Sequence, residues 1–216
     1  MSLLVAIDGP AGSGKSTIAA ALAERLGLAR LDTGAMYRAV TLLVLRQGVD
    51  PENGEAAARL ARDMDLDVGD HVRLDGEDVT LAIRSGEVDG AVSEVAAHPA
   101  VRAELVRRQR EWGERHGGGV VEGRDIGSVV FPTADLKIYL TAEPEERARR
   151  RVDQQRQLAP SPRGTESFEA VADLERRDTL DSGRAISPLQ VAEDAIVVDS
   201  THLTVDEVVE EVLRHL

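Results

Sequence analysis

Between Gly9 and Thr17 the chain reads Gly-Pro-Ala-Gly-Ser-Gly-Lys-Ser-Thr, and Gly9, Gly14, Lys15 and Ser16 satisfy the spacing G-x-x-x-x-G-K-[ST]. That spacing is built for phosphate. Glycines let the backbone curl until successive N–H groups point inward at phosphate oxygens, and a helix N-terminus behind them adds partial positive charge. Lys15 is placed to reach the β and γ phosphates, and the Ser16 hydroxyl to meet Mg²⁺. A short glycine-rich turn can also join a strand to a helix without binding anything, so its setting matters. Leu3 to Ile7 before it read as a buried strand, and Ile18, Leu22 and Leu26 after it line one helix face.

A second group of candidates is cationic. Arg147, Arg149, Arg150, Arg151 and Arg156 lie on a predicted helix from Glu143 to about Leu158, which runs into the loop Ala159-Pro160-Ser161-Pro162-Arg163-Gly164-Thr165. Phosphoryl transfer needs donor and acceptor in line with positive charge around the transferring group, and it needs water kept out. Arg149, Arg150 and Arg151 suit a closing lid, while the bland reading of each is a solvated surface charge. Two further stretches follow predicted strands directly, Asp32 to Arg38 and Gly123 to Gly127.

These groups need a frame to hold them. Leu28–Asp32, Val120–Glu122, Asp135–Thr141 and Ala195–Asp199 read as four more strands, with Leu136, Ile138 and Leu140 alternating with polar neighbours. Helices are expected from Thr33, a natural N-cap, to about Gln47, over 52–64, from about Glu87 to Ala97, and onward to about His116. Others follow the Pro160 loop to about Asp181 and span Val205–Leu213. Strands alternating with helices imply a three-layer α/β domain around a parallel five-stranded sheet, with ligands at the carboxyl ends of the strands. The loop and both later stretches are then expected to face one crevice. Asp65 to Arg84 is different: Leu66, Val68, Val72, Leu74, Val79, Leu81 and Ile83 alternate with polar residues between Gly69 and Gly76, as in a small antiparallel insertion.

Composition narrows the partners. A net charge of −13 over 216 residues opposes nucleic-acid backbones, although the arginines gather between Arg102 and Arg184. With Trp112, Tyr37, Tyr139, Phe131 and Phe168 as its aromatics, the chain lacks a platform for stacking several bases. The absence of cysteine fits a cytoplasmic protein and removes thiolate chemistry. The first strand takes up the N-terminus, so no signal peptide is expected. No membrane association is expected either, because no run of about eighteen apolar residues is present.

Several stretches together resemble the bacterial cytidylate kinases: Ile7-Asp8 through Thr17, Leu31-Asp32-Thr33-Gly34-Ala35-Met36-Tyr37-Arg38, Glu122-Gly123-Arg124-Asp125-Ile126-Gly127-Ser128-Val129-Val130-Phe131-Pro132, and Glu175-Arg176-Arg177-Asp178 with Asp181, Arg184 and Ser187-Pro188-Leu189. The likeness covers nearly the whole chain, including Gly76-Glu77-Asp78-Val79. It implies a P-loop nucleoside monophosphate kinase fold with a core over 1–48, 99–146 and 184–216, a nucleotide-binding insertion over about 49–98 and a helical lid over about 147–183. The implied reaction takes ATP and CMP or dCMP to ADP and the diphosphate with Mg²⁺, in pyrimidine metabolism.

By resemblance, Gly9, Pro10, Ala11, Gly12, Ser13, Gly14, Lys15, Ser16 and Thr17 bind ATP, and Ser16 is the protein ligand to the metal. Thr33, Arg38, Ser93, Arg102, Arg124, Asp125, Arg177, Asp181 and Arg184 bind CMP, and Lys15, Arg124, Arg151 and Arg184 act on the transferring group. Within that set Ser93, Arg102 and Asp125 contact the cytosine, and Arg38 and Arg124 the acceptor phosphate. A buried carboxylate suits the N4 amino donor of cytosine and opposes uracil. Asp125 could instead serve as a cap or pair with Arg124, Ser93 could be an ordinary helix serine, and Arg102 could run along an amphipathic helix. No separate carboxylate for the metal is apparent, leaving Glu122 and Asp8 as outer-sphere candidates. Ser128 stands where the family often has threonine. A monomer is expected. The competing readings are a kinase for UMP, AMP or another small acceptor, and a nucleotide-dependent switch, which would want an N-K-x-D segment that the chain lacks.

Overall fold

The computed structural model describes residues 3–158, 176, 178, 179, 183 and 189–216. The expected loop over Ala159–Thr165 and helix to Asp181 lie outside the described residues, in whole or in most part, as do Arg177, Asp181 and Arg184. Two compact units are present, one of Met1–Ala29 with Gly118–Leu216 and one of Arg30–Gly117. Among the described residues no helix is long and apolar enough to cross a membrane.

In the first unit, β1 (Leu4–Asp8) leads through the glycine-rich loop into α1 (Lys15–Leu26). In the second, β2 (Arg30–Asp32) leads into α2 (Thr33–Arg46). Returning to the first unit, β6 (Gly119–Gly123) is followed by a single π-helical turn, Ile126–Val130. After it come β7 (Leu136–Thr141), α6 (Pro144–Leu158), β8 (Ile196–Asp199) and α7 (Val205–Leu213). The strands form one five-stranded parallel sheet in the order β2-β6-β1-β7-β8, so the chain is an α/β protein of the expected class. β1 is central, with Ile7 level with Glu122 on one side and Ile138 on the other.

Burial follows the helical and strand periods. Ile18 and Leu22 of α1 meet Val5 and Ile7 of β1, Ile138 and Leu140 of β7, and Val208 and Val212 of α7 in one core. Leu26 closes that stripe only partly buried. Of the polar positions of β7, Lys137 is buried and pairs with Asp194 at 2.7 and 2.9 Å, while Tyr139 and Thr141 are half-buried. A strand between β1 and β8 in a parallel sheet is covered on both faces, so a cation there needs a partner.

The second unit is mostly helical. α3 (Gly54–Asp63), α4 (Gly86–Ala97) and α5 (Pro99–His116) pack with α2 around Val40, Val44, Ala57, Val95 and Leu105. Beside them β3 (Leu66–Val68), β4 (Val72–Leu74) and β5 (Glu77–Asp78) make the expected antiparallel sheet, with Leu66 opposite Leu74. The alternation Val79, Leu81, Ile83 does not extend it. Leu81 is 70% exposed, and Ala82–Arg84 form a 3-10 turn that buries Ile83. The cap of α2 also differs from expectation: the Asp32 carboxylate accepts from Ala35 N at 3.0 Å, and Thr33 is the first helical residue, because a carboxylate one position earlier reaches the open N–H better.

Candidate active site

The phosphate loop is fixed by conformations that only glycine tolerates. Gly9 has φ +152°, and a Cβ there would lie 2.0 Å from Leu140 O; at Gly12, φ +76°, it would lie 2.7 Å from Arg147 O. The loop therefore packs backbone to backbone on β7 and α6. Ala11 is held at both ends, its N–H by Asp178 at 3.0 Å and its carbonyl by Arg147 at 3.0 Å, while Arg147 and Asp178 pair with each other. Arg150 donates to Ser13 O at 3.2 Å and to the hydroxyl and carbonyl of Ser200. Gly14 has no side chain with which to cap α1, and the first turn of α1 carries no acid, so the helix end is left for an anion.

Charge is concentrated on this loop. Lys15 donates to Pro10 O at 2.8 Å, and Arg124, from the turn after β6, donates to Gly9 O. Burial, followed by the repulsion of Arg124, pushes the Lys15 ammonium down to about 7. Two cations on adjacent carbonyls make a place for polyphosphate. Ser16 donates its hydroxyl to Glu122 at 2.9 Å, with Glu122 buried at the end of β6. A hydroxyl backed by a carboxylate is a hard oxygen set that fits Mg²⁺. On the far side of the loop, a pocket of about 450 Å³ opens between Gly14 and Thr17, Arg149 and Arg150 of α6, and the His202–Val205 turn.

The turn Gly123–Gly127 lies against the loop. Asp8, the last residue of β1, accepts from Ile126 N and Gly127 N, each at 2.7 Å. Burial dominates its titration and pushes the carboxyl up to about 6. Asp125 is buried beside this clamp.

The remaining expected residues belong to the second unit. Arg38 on α2 donates to Ile83 O at 3.0 Å and to Asp89 on α4 at 2.6 Å. Arg102 on α5 is 3% exposed, reaches Ala96 O at 3.4 Å and sits 5.4 Å from the centre of the Tyr37 ring. Ser93, also buried, lies one helical turn before Ala96 on α4. Thr33 is buried at the start of α2.

The family model for cytidylate kinase matches residues 5–216. The chain belongs to the cytidylate kinase family. A cytidylate kinase of Mycolicibacterium paratuberculosis is 50% identical over 220 residues, spanning 99% of this chain and 94% of its own. One of Mycobacterium leprae is 51% identical over 209 residues, spanning 96% and 92%. A bifunctional pantoate ligase/cytidylate kinase of Prochlorococcus marinus is 49% identical over 217 residues, covering 97% of this chain but 42% of that protein. Among solved structures, an uncharacterized protein from Eubacterium ventriosum superposes with a TM-score of 0.54 at 11% identity, covering 99% and 97% of the two chains. A sugar kinase from Janibacter does so with 0.50 at 14%, covering 99% and 94%. At such identities these two report the fold.

For a member of the cytidylate kinase family, the arginine-rich helix divides its labour unexpectedly. Arg147 is buried and holds the loop backbone, Arg149 is exposed between Glu146 and Asp153, and Arg150 ties the loop to Ser200. Arg151 is half-buried on the same helix. Sequence reasoning missed Arg147, Asp178, Ser200 and Asp89 as partners of functional residues. An i, i+3 spacing of arginines on α6 hinted that Arg147 and Arg150 share a face, but nothing local named what that face meets.

Proposed function

We infer that the chain transfers the γ-phosphoryl group of ATP to CMP or dCMP, yielding ADP and the nucleoside diphosphate. The observation that carries this reading is the meeting of Lys15 and Arg124 on the carbonyls of Pro10 and Gly9. One cation belongs to the donor loop and the other to the turn that family resemblance gives to the acceptor, so the transferring group has a place between them. The lowered Lys15 titration supports the same point, since a bound polyphosphate relieves the repulsion and restores the charge.

In this scheme the loop from Gly9 to Thr17 holds the ATP phosphates, and the pocket between Gly14, Arg150 and the His202–Val205 turn takes the donor nucleoside. Arg38 and Arg124 hold the acceptor phosphate, and Ser93, Arg102 and Asp125 read cytosine, with Thr33 lining the acceptor side. An acceptor phosphate oxygen forms the new P–O bond as the β–γ bridge breaks, and Lys15, Arg124 and Arg151 stabilise the charge that gathers on the equatorial oxygens. Arg177, Asp181 and Arg184, outside the described residues, complete the proposed acceptor and catalytic set. Mg²⁺, when bound, neutralises the β and γ oxygens; Ser16 would hold it, with Glu122 orienting the hydroxyl.

We assign residues 1–48, 99–146 and 184–216 to the core, about 49–98 to the acceptor insertion and about 147–183 to the lid. A cytoplasmic monomer is the proposed working form. The test is ADP formation from ATP and Mg²⁺ with CMP, dCMP, UMP, AMP and GMP offered singly beside a no-acceptor control. Preference for CMP and dCMP is expected. Preference for another acceptor would overturn the base assignments, and acceptor-independent hydrolysis alone would overturn the kinase reading.

A further inference from the structure

One buried carboxylate in the first unit has no part in the scheme above. Asp8 is 5% exposed, and each of its oxygens takes a backbone N–H, from Ile126 and from Gly127. Those N–H groups belong to the two residues that follow Arg124 and Asp125. Lys137 packs against the turn beside Asp8. A Cβ on Gly127 would meet the stem of Lys137 at 3.1 and 3.2 Å and Asp8 Oδ2 at 3.4 Å, and Lys137 is itself anchored by Asp194. Arg124 then reaches back to Gly9 O, the residue next to Asp8. Residues 8 and 9 thus hold residues 124, 126 and 127 in a closed ring, with Asp125 inside it.

We propose that Asp8 is a positioning residue for the acceptor side of the site, clamping the turn so that Arg124 meets the acceptor phosphate and Asp125 the base edge. The proposal rests on the roles given above to Arg124 and Asp125. Two hydrogen bonds from neighbouring N–H groups to one anion define the direction of the turn as well as its position. An amide in place of the carboxylate keeps one of them and turns an N–H against the other. The turn then pivots about the remaining bond, and the two side chains just before it lose their aim.

The test is steady-state kinetics of Asp8→Asn and Gly127→Ala, with CMP and UMP varied at saturating ATP, ATP varied at saturating CMP, and thermal midpoints recorded. Asp8→Asn is expected to raise KM for CMP roughly tenfold, the scale of one charge-assisted hydrogen bond, and to lower the CMP-to-UMP preference by a similar factor. KM for ATP should stay within about twofold, because the loop N–H groups are untouched. Gly127→Ala leaves Asp8 in place but presses on the same contact, so it should shift the same two quantities, and it carries the test if Asp8→Asn does not fold. A fall in thermal midpoint with KM for CMP unchanged, or equal losses for CMP and ATP, would overturn the clamp. If the unaltered protein shows no preference for CMP, the reading of Asp125 fails. The clamp is then judged on KM for whichever acceptor is used.

Discussion

The phosphate loop of the first unit and the polar residues proposed for the acceptor in the second are made of different material. The donor half is backbone: Gly9, Gly12 and Gly14 adopt positive φ, Ala11 is held by both its N–H and its carbonyl, and α1 begins uncapped. The residues proposed for the acceptor in the second unit are side chains on three helices, Arg38 on α2, Ser93 on α4 and Arg102 on α5; Arg38 is held by Ile83 O and Asp89, and Arg102 by Ala96 O and the Tyr37 ring. Phosphate is the same for every nucleotide, so a backbone cradle serves it. A base must be told from its relatives, which takes donors and acceptors placed one at a time.

That contrast places the largest losses in the backbone loop. Gly9→Ala puts a methyl 2.0 Å from the Leu140 carbonyl, with no flexible side chain to yield, and turnover should fall by more than about a hundredfold for every acceptor. Retained activity in that variant would break the comparison outright. Lys15→Ala should cost roughly a hundredfold in kcat, the scale of one preorganised donor to the transition state, again without regard to the base. Asp125→Ala should instead act selectively, lowering kcat/KM for CMP by roughly tenfold or more while leaving UMP little changed and the thermal midpoint nearly intact. Equal losses for all acceptors would mean that Asp125 supports the turn and does not read the base.

The smallest effect is a matter of pH, and it separates function from stability. Asp8 titrates at about 6 against an ordinary 3.8, so it takes up a proton as pH falls through 6. Protonation removes half of the clamp, and kcat/KM for CMP should fall by roughly tenfold between pH 7 and 5 as the ionised fraction drops. The phosphate of CMP titrates in the same range. The informative measurement is therefore the difference between the unaltered protein and Asp8→Asn, whose profile should be flatter. Stability runs the other way. A carboxyl with a raised folded value favours the folded state fully below its unfolded value and loses that contribution as pH rises through 6, so this group stabilises the protein on acidification from 7 to 4.

The phosphate loop was legible because its requirements are local. Glycine at positive φ, a lysine and a hydroxyl at fixed spacing, and a strand and helix on either side all lie within one short stretch, and the structure places them as read. The strands and their parallel class were legible for the same reason, since apolar runs of that length between helical periods leave few alternatives. Where the reading differed from the structure, the reasons were partly local and partly nonlocal. The partner that holds the buried Lys137, Asp194, could not be read from the strand around it, and Thr33 yielded its capping role to Asp32, whose carboxylate reaches Ala35 N. The Val79–Ile83 alternation became a 3-10 turn because burying Ile83 outweighed extending a short edge strand.

By itself, then, the sequence determined a strand-loop-helix unit with the glycine, lysine and hydroxyl spacing of a phosphate loop, within an α/β fold, because backbone conformation and hydrophobic period are written in neighbouring residues. Its likeness to one family also supplied names for the acceptor residues. Only the tertiary structure decided what holds those residues in place: Asp8 beneath the Arg124–Asp125 turn, Asp89 against Arg38, Tyr37 against Arg102, and the Arg147–Asp178 pair around Ala11. Each joins residues tens of positions apart or more, and no local preference encodes such a pairing; it exists because burying the core brings the groups together, and buried polar groups must find partners where they land.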